Sequence, residues 1–179
     1  PDLEFALRMN DLTASDDTLR LMTPYAFAPP CSPHLAAREA DVQISIPIIM
    51  EAFTHLADSH PCIIVEGAGG ILVPISESLT MLDVMIALDL PVILVARAGL
   101  GTINHTLLSL QELRRAGLTV SSIICNDPIA TGRGLIEEDN RAVIETFSGI
   151  PVSAHLPFLD GLADGTLSPA EFRNTSVRE

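Results

Sequence analysis

The sequence predicts an α/β fold in which helices flank a parallel sheet. Several short runs are apolar throughout rather than alternating apolar and polar, which is typical of strands buried on both faces. Segments with helical spacing of apolar residues separate these runs. Strands that alternate with helices indicate a parallel sheet. The 179 residues fit one domain of this class.

Each element has its own local signal. Ser15 before an apolar-periodic run predicts a helix start, and Ser32 followed by Pro33 predicts another. Pro47 fits only the first turn of the helix predicted from 44 to 57. We expect helices over 15–22, 32–40, 44–57, 79–88, 103–116 and 134–147, and strands over 62–66, 91–96, 119–125 and 152–156. We expect residues 1–14 to form a frayed segment before the first helix, and residues 161–179 to form a loosely packed tail.

The composition excludes several classes of protein. The formal net charge is −13, which disfavours nucleic acid as a partner because its backbone requires cations. No apolar run approaches the roughly 18 residues that a membrane span needs. The three cysteines are dispersed, so we expect buried thiols in a reducing cytoplasm rather than a metal site. All ten basic residues are arginine.

Two acidic segments are candidate metal or phosphate sites. Glu66 ends an apolar run and is followed by Gly67, Ala68, Gly69 and Gly70. A carboxylate at a strand end suits Mg²⁺, and small glycines allow close approach of backbone N–H groups to a phosphate. Asp16 and the adjacent Asp17 are candidates for a second Mg²⁺ ligand. The alternative for Glu66 and for these two acids is helix capping, which local sequence alone favours for Asp16 and Asp17.

Two further segments follow predicted strands. The stretch from Leu100 to His105 contains Gly101 and Thr102, and Thr102 is a candidate helix cap. The backbone N–H groups of that helix start suit a bound carboxylate. Asn126 ends the third strand, and its amide is able to pair with the donor and acceptor of a purine edge. A plain strand-to-helix turn and an Asx turn are the respective alternatives.

Taken together, these segments resemble the ATP-dependent dethiobiotin synthase family from about residue 15 to residue 160. The landmarks that carry the resemblance are Ser15-Asp16, Ser32-Pro33-His34, Val65 to Gly70 with Pro74, Pro91 to Val95, Leu100 to His105, Ala116-Gly117-Leu118, Asn126-Asp127 and Leu156 to Leu159. The glycine loop together with the Gly-x-Ile-Asn-His segment makes the match specific.

The resemblance implies a P-loop NTPase-like fold and a homodimer. It implies a ligase of biotin biosynthesis that uses ATP and Mg²⁺ to join CO₂ to 7,8-diaminopelargonic acid, closing a cyclic urea. By resemblance, Asp16 and Glu66 are the catalytic Mg²⁺ carboxylates, and Gly67 and Gly69 contribute to the nucleotide site. The resemblance also implies that Asn126 recognises adenine in a pocket lined by Pro157, Phe158 and Leu159. It implies a second site, across the dimer interface, in which the substrate carboxylate is bound by Leu100, Gly101, Thr102 and Asn104.

The chain departs from the family pattern in one respect. It contains no Gly-x-x-x-x-Gly-Lys-Ser/Thr segment and no lysine at all. We therefore expect it to correspond to the carboxyl-terminal part of such an enzyme, with an incomplete amino-terminal end and no turnover by itself. The alternatives are a regulatory or ligand-binding module built on the same fold, and a related amidoligase that activates carboxylates.

Overall fold

A computed structural model of the chain describes residues 2–127, 134–162 and 164–174. The chain divides into two compact units, the first ending at Asp89 and the second beginning at Leu90. The expectation of one domain over residues 1–179 stays a prediction.

The described part of the first unit is helical. Its elements are α1 (Asp2–Met9), α2 (Asp16–Met22), α3 (Pro33–Glu39), α4 (Ile46–Ser59) and α5 (Met81–Leu88). The predicted starts are confirmed: Ser15 is the N-cap of α2, and its side chain accepts from the Thr18 amide over 3.2 Å. Pro33 and Pro47 lie in the first turns of α3 and α4, where a missing N–H costs nothing.

The expectation for residues 1–14 was wrong, because α1 occupies part of that segment. Met9, at the end of α1, is only 1% exposed. A short helix is marginal on local propensity, and tertiary burial of one face stabilises it. That burial was not visible in the sequence pattern.

A small apolar core holds the first unit together. Helix α4 packs against α2 and α5. The Tyr25 hydroxyl accepts from the Ser45 amide over 3.0 Å, which fixes the start of α4. The fully buried members of this core are Ala37, Ile44, Ile75 and Val84.

The strand predicted over 62–66 was also wrong. These residues belong to no strand, and Ile64 is 91% exposed. An apolar run becomes a strand only when a neighbour supplies ladder hydrogen bonds, and no such neighbour exists for this run among the described residues. Cys62 is consequently exposed, as is Cys31, so the expectation of buried thiols holds only for Cys125.

The second unit is a three-stranded parallel sheet with helices. Its elements are β1 (Val92–Arg97), α6 (Thr102–Arg115), β2 (Val120–Asn126), α7 (Leu135–Ser148), β3 (Val152–Leu156) and α8 (Pro169–Arg173). The strand order is β1-β2-β3, with both pairings parallel. Three of the four predicted strands are therefore confirmed, as are the helices predicted from 103 and from 134.

Helices α6 and α7 pack on the same face of this sheet. Their core contains Leu110 and Ile144 together with Ile123 and Cys125 of β2. On the opposite face, Ile93 and Val95 of β1 are more than half exposed. The short α8 has Ser168 as its N-cap. The loose packing expected over 161–179 stays a prediction, since 163 and 175–179 lie outside the described residues.

Candidate functional site

The three strands end together at one edge of the sheet. Arg97 of β1 is in register with Asn126 of β2, and Asn126 is in register with Leu156 of β3. Ligands of open α/β sheets bind outside the carboxyl ends of the strands. Asn126 and the segment from Pro157 to Leu159 thus lie where a ligand site is expected.

The loop after β1 is fixed by its glycines. Gly101 is the N-cap of α6 and has φ +92°, a left-handed conformation that glycine adopts without a steric penalty. The expectation that Thr102 caps the helix was wrong, because Thr102 is already inside it. The Thr102 hydroxyl is buried and hydrogen-bonds the Thr106 hydroxyl over 3.3 Å.

The start of α6 presents amide groups without partners. Among the described residues, the N–H groups of Ile103 and Asn104 have no acceptor outside the helix. Unpaired amides at a helix start, together with the helix dipole, favour a bound anion. Leu100 beside them is 98% exposed, and the Asn104 side chain is exposed. The predicted carboxylate-binding segment is therefore accessible.

A cleft of about 440 Å³ lies beside this helix start. Leu100 and Thr102 line it, as do Arg97, His105 and Asp127. Arg97 is an exposed cation at the edge, in a chain whose formal net charge is −13. Sequence reasoning missed Arg97, although its place at the end of a predicted strand was a usable signal.

Backbone hydrogen bonds join the loop after β1 to the end of β2, and the end of β2 to the end of β3. The Ala98 amide donates to the Asn126 carbonyl over 2.8 Å, and the Asp127 amide donates to the Leu156 carbonyl over 2.9 Å. The structure thus brings together Asn126, the Leu100–Asn104 segment and the segment that begins at Pro157. Phe158 in that last segment is 37% exposed, and Pro157 and Leu159 are half-buried.

Two buried polar contacts behind this edge were missed by the sequence reasoning. The Asn140 side-chain amide of α7 donates to the Gly99 carbonyl over 3.2 Å. His155 Nε2 of β3 donates to Asp127 Oδ2 over 2.6 Å. No local pattern marks either contact, because each joins residues about 30 or 40 positions apart that meet only in the folded unit. The Asx turn considered at Asn126-Asp127-Pro128 reaches outside the described residues.

The glycine loop in the first unit has a structural requirement of its own. Gly69 has φ +85°, and a Cβ built there would lie 3.1 Å from Val73 Cγ2. A Cβ on Gly67 would lie 3.1 Å from Met81 Cγ. The backbone conformation therefore explains Gly69, whereas at Gly67 a Cβ would meet only the flexible Met81 side chain. A role of either glycine in nucleotide binding stays a prediction.

Asp16 and Glu66 both lie in the first unit with exposed side chains. Neither caps a helix, since Ser15 supplies the cap of α2 and, among the described residues, no hydrogen bond or ion pair involves the Glu66 carboxylate. In the described part of the chain, no group of three or more His, Cys, Asp or Glu residues is arranged to hold a metal. Their convergence on one cation stays a prediction.

Comparison with known sequences identifies the class of protein to which the chain belongs. Residues 6–166 match the sequence model of an AAA domain family. A parallel sheet flanked by helices, with this match over most of the chain, defines an α/β protein of the P-loop NTPase-like class. None of the described helices has the length and apolar character to cross a membrane.

Individual relatives define the family. The chain is 34% identical over 167 residues to the ATP-dependent dethiobiotin synthetase BioD of Bacillus subtilis strain 168, covering 93% of this chain and 71% of that protein. It is 36% identical over 159 residues to the BioD of Bacillus licheniformis, covering 89% and 66%. It is 43% identical over 121 residues to the BioD of Anaeromyxobacter dehalogenans strain 2CP-C, covering 68% and 54%.

The chain thus belongs to the ATP-dependent dethiobiotin synthetase family. It spans between about half and seven tenths of the length of these relatives. The family resemblance of the sequence is confirmed, and a regulatory module is not favoured by these matches.

Proposed function

We propose that the full-length protein containing this chain closes the ureido ring of dethiobiotin from a vicinal diamine, CO₂ and ATP. The 7,8-diamine would form a carbamate on one nitrogen, the carbamate oxygen would take the γ-phosphoryl group of ATP, and the second amine would displace phosphate. ADP and inorganic phosphate balance the reaction. The proposal rests on the family of the chain and on one geometric observation.

That observation is the hydrogen bond between Ala98 N–H and the Asn126 carbonyl, 2.8 Å long. It joins the loop that leads to the start of α6 to the strand end that carries Asn126. Within that arrangement we assign the α6 amides and Asn104 to the substrate carboxylate, and the Asn126 amide to adenine. Leu100, Gly101 and Thr102 shape the carboxylate site, and Pro157, Phe158 and Leu159 form a wall of the adenine pocket.

The residues of the first unit fit a magnesium ion in their donor chemistry. Mg²⁺ prefers carboxylate and phosphate oxygens and keeps several waters, so one or two protein carboxylates suffice. Asp16 and Glu66 provide exposed carboxylates, and among the described residues no internal partner competes for either. When bound, the ion would neutralise charge on the ATP phosphates. Gly67 and Gly69 would give the phosphates access to the backbone.

Assembly and location are part of the same proposal. A homodimer would let the α6 start of one protomer hold the carboxylate of a diamine whose amines react in its partner's site. A cytoplasmic location agrees with three dispersed cysteines, of which two are exposed and none forms a disulfide.

The test is a stoichiometric assay on the purified full-length protein. We expect ADP release that requires both the diamine and bicarbonate, with one dethiobiotin formed per ADP. Glu66→Gln should lower this turnover on the order of 100-fold, since removing one preorganised charge-stabilising group commonly costs 10²–10³ in rate. Glu77→Gln removes an exposed carboxylate eleven residues downstream and should leave turnover unchanged.

Other results would contradict the proposal. ADP release that depends on a carboxylate substrate plus an amide donor would indicate the amidoligase reaction. Tight nucleotide or diamine binding with no ADP release under any combination of substrates would indicate a binding module.

A further inference from the structure

The His155–Asp127 pair lies next to Asn126, the residue that we assign to adenine recognition. His155 Nε2 donates to Asp127 Oδ2 over 2.6 Å, and the two side chains are only 7% and 11% exposed. Asp127 follows Asn126 in the chain, and His155 precedes Leu156, the register partner of Asn126. The pair therefore bridges the ends of β2 and β3 at the residues next to the proposed pocket.

The alternation of side chains along a strand places the pair on the helix-covered face. His155 is in register with Cys125, which is buried under α6 and α7. Successive side chains point to opposite faces of a sheet, so Asn126 points away from Cys125. The pair holds the backbone of Asn126 from one face of the sheet, and in the described part of the chain no side-chain hydrogen bond is made by the Asn126 amide on the other face.

Three hydrogen bonds together fix the Asn126–Asp127 segment. Two are made by backbone groups: Ala98 N–H to the Asn126 carbonyl, and Asp127 N–H to the Leu156 carbonyl. The third is the His155–Asp127 bond, which is the one made by side chains. Because the pair is nearly buried, water is poorly placed to replace a lost partner, and removing either group leaves the other unsatisfied.

We propose that His155 and Asp127 are positioning residues that set the preference of this protein for adenine over guanine nucleotides. This inference rests on the proposed function, in which Asn126 reads the base. Neither residue touches the nucleotide. By fixing the backbone on the carboxyl side of Asn126, the pair keeps the Asn126 amide in the one orientation that matches the donor and acceptor of adenine.

Two amide substitutions of His155 separate this role from general packing. Glutamine places its side-chain N–H near the position of Nε2, whereas asparagine is one methylene shorter and does not reach Asp127. In the full-length protein, we expect His155→Asn to raise the KM for ATP about tenfold, as loss of a hydrogen bond to a charged group commonly does. The kcat at saturating ATP should stay within about twofold, and the preference for ATP over GTP should fall as the KM for ATP rises.

The control variant is His155→Gln, for which we expect an ATP KM and an ATP/GTP preference within about threefold of wild type. Asp127→Asn serves as a second test, because the two side chains are isosteric and the packing volume is kept. It keeps an acceptor oxygen but loses the charge, so we expect an ATP KM between those of wild type and His155→Asn.

Several outcomes would overturn the inference. A folded His155→Asn or Asp127→Asn protein with an unchanged ATP/GTP preference would show that the pair only packs. Equal losses for His155→Gln and His155→Asn would show that the N–H group is not what matters. If the wild-type protein itself shows no preference for ATP over GTP, the assignment of Asn126 to adenine in the proposed function is wrong. The wild-type measurement alone gives this result, so it is distinguishable from a failure of the His155–Asp127 inference, which only the variants show.

Discussion

Asn140 of α7 donates its side-chain amide to the carbonyl of Gly99, 3.2 Å away and 41 positions earlier in the chain. Gly99 also accepts from the Thr102 amide at the start of α6. Asn140 is 8% exposed, so this contact is made inside the second unit. The relationship ties α7 to the loop that we assign to the substrate carboxylate.

Replacing Asn140 by alanine should loosen that loop. The Gly99 carbonyl keeps its bond from Thr102, so the expected loss of stability is modest, about 0.5–1.5 kcal/mol for one hydrogen bond. The KM for the diamine should rise more than the KM for ATP, because the loop is assigned to the carboxylate. Thermal unfolding and steady-state kinetics of the full-length protein measure both effects.

Thr146→Ala provides the matched control on the same helix. Thr146 is exposed and donates only to the Ala142 carbonyl within α7. If Thr146→Ala shifts the diamine KM as much as Asn140→Ala does, the Asn140–Gly99 contact has no special part in positioning the loop.

Asn126→Ala should relax the choice between ATP and GTP. The substitution removes the amide that we assign to the purine edge, and a site built to hydrogen-bond one base discriminates mainly through those bonds. Competition of GTP against ATP in the coupled assay measures the preference. An unchanged preference would remove Asn126 from the adenine site while leaving the proposed reaction standing.

Asp16→Asn should lower ATP turnover on the order of 100-fold, as loss of a charge-stabilising group does, and should raise the Mg²⁺ concentration needed for half-maximal rate. The neighbouring Asp17→Asn is the control, since Asp17 lies in the same helical turn and pairs with Arg20 at 3.6 Å on the surface. Measuring the turnover rate over a range of Mg²⁺ concentrations distinguishes the Asp16→Asn variant from the Asp17→Asn variant. Equal magnesium dependence in both variants would contradict the assignment of Asp16.

Gly69→Ala should destabilise the first unit, whereas Gly70→Ala should be tolerated. Gly69 has φ +85° and no room for a Cβ beside Val73, while a Cβ on Gly70 would have its nearest neighbour at 4.0 Å. Forcing a non-glycine residue into a left-handed conformation costs about 1–3 kcal/mol. Chemical denaturation of the two variants tests this difference, and equal midpoints would mean that the loop adjusts without strain.

Asp83 should make the stability of the first unit depend on pH in the acidic range. The Thr80 amide donates to Asp83 Oδ2 over 2.7 Å and the Thr80 hydroxyl does so over 2.8 Å, which lowers the pKa of this carboxyl below its usual value. A native pKa below the unfolded one means that the stabilisation is complete above the unfolded value of about 3.9 and is lost as the pH falls through the lower native value.

Asp83→Asn keeps an acceptor oxygen for Thr80 but loses the negative charge in the first turn of α5, so it should cost about 0.3–1 kcal/mol at pH 7. The difference from wild type should be constant from pH 8 to about pH 5 and shrink below about pH 4. Urea denaturation across this range measures it. Glu77→Gln, which removes an exposed loop carboxylate, should show no such pattern.

Much of the fold was readable from local sequence. Ser15, Pro33 and Pro47 marked helix starts that the structure confirms, because caps and first-turn prolines act within a few residues. The strands that begin at Val92, Val120 and Val152 were readable from continuous apolar runs. The run from Cys62 to Glu66 carried the same signal and forms no strand, because a strand also needs a partner that the run itself does not specify.

The candidate site also combines features that the sequence predicted with contacts that only the folded structure shows. The sequence by itself determined the α/β class and the family, since their signals are short motifs and apolar patterns along the chain. It also predicted an anion site at Asn104, a base site at Asn126 and a cation site at Asp16 and Glu66, and these stay predictions. The tertiary structure alone decided that Asn140 reaches Gly99 and that His155 reaches Asp127. Such contacts arise when packing of α7 and β3 buries polar groups that must then find partners, and that requirement exists only once the chain has folded.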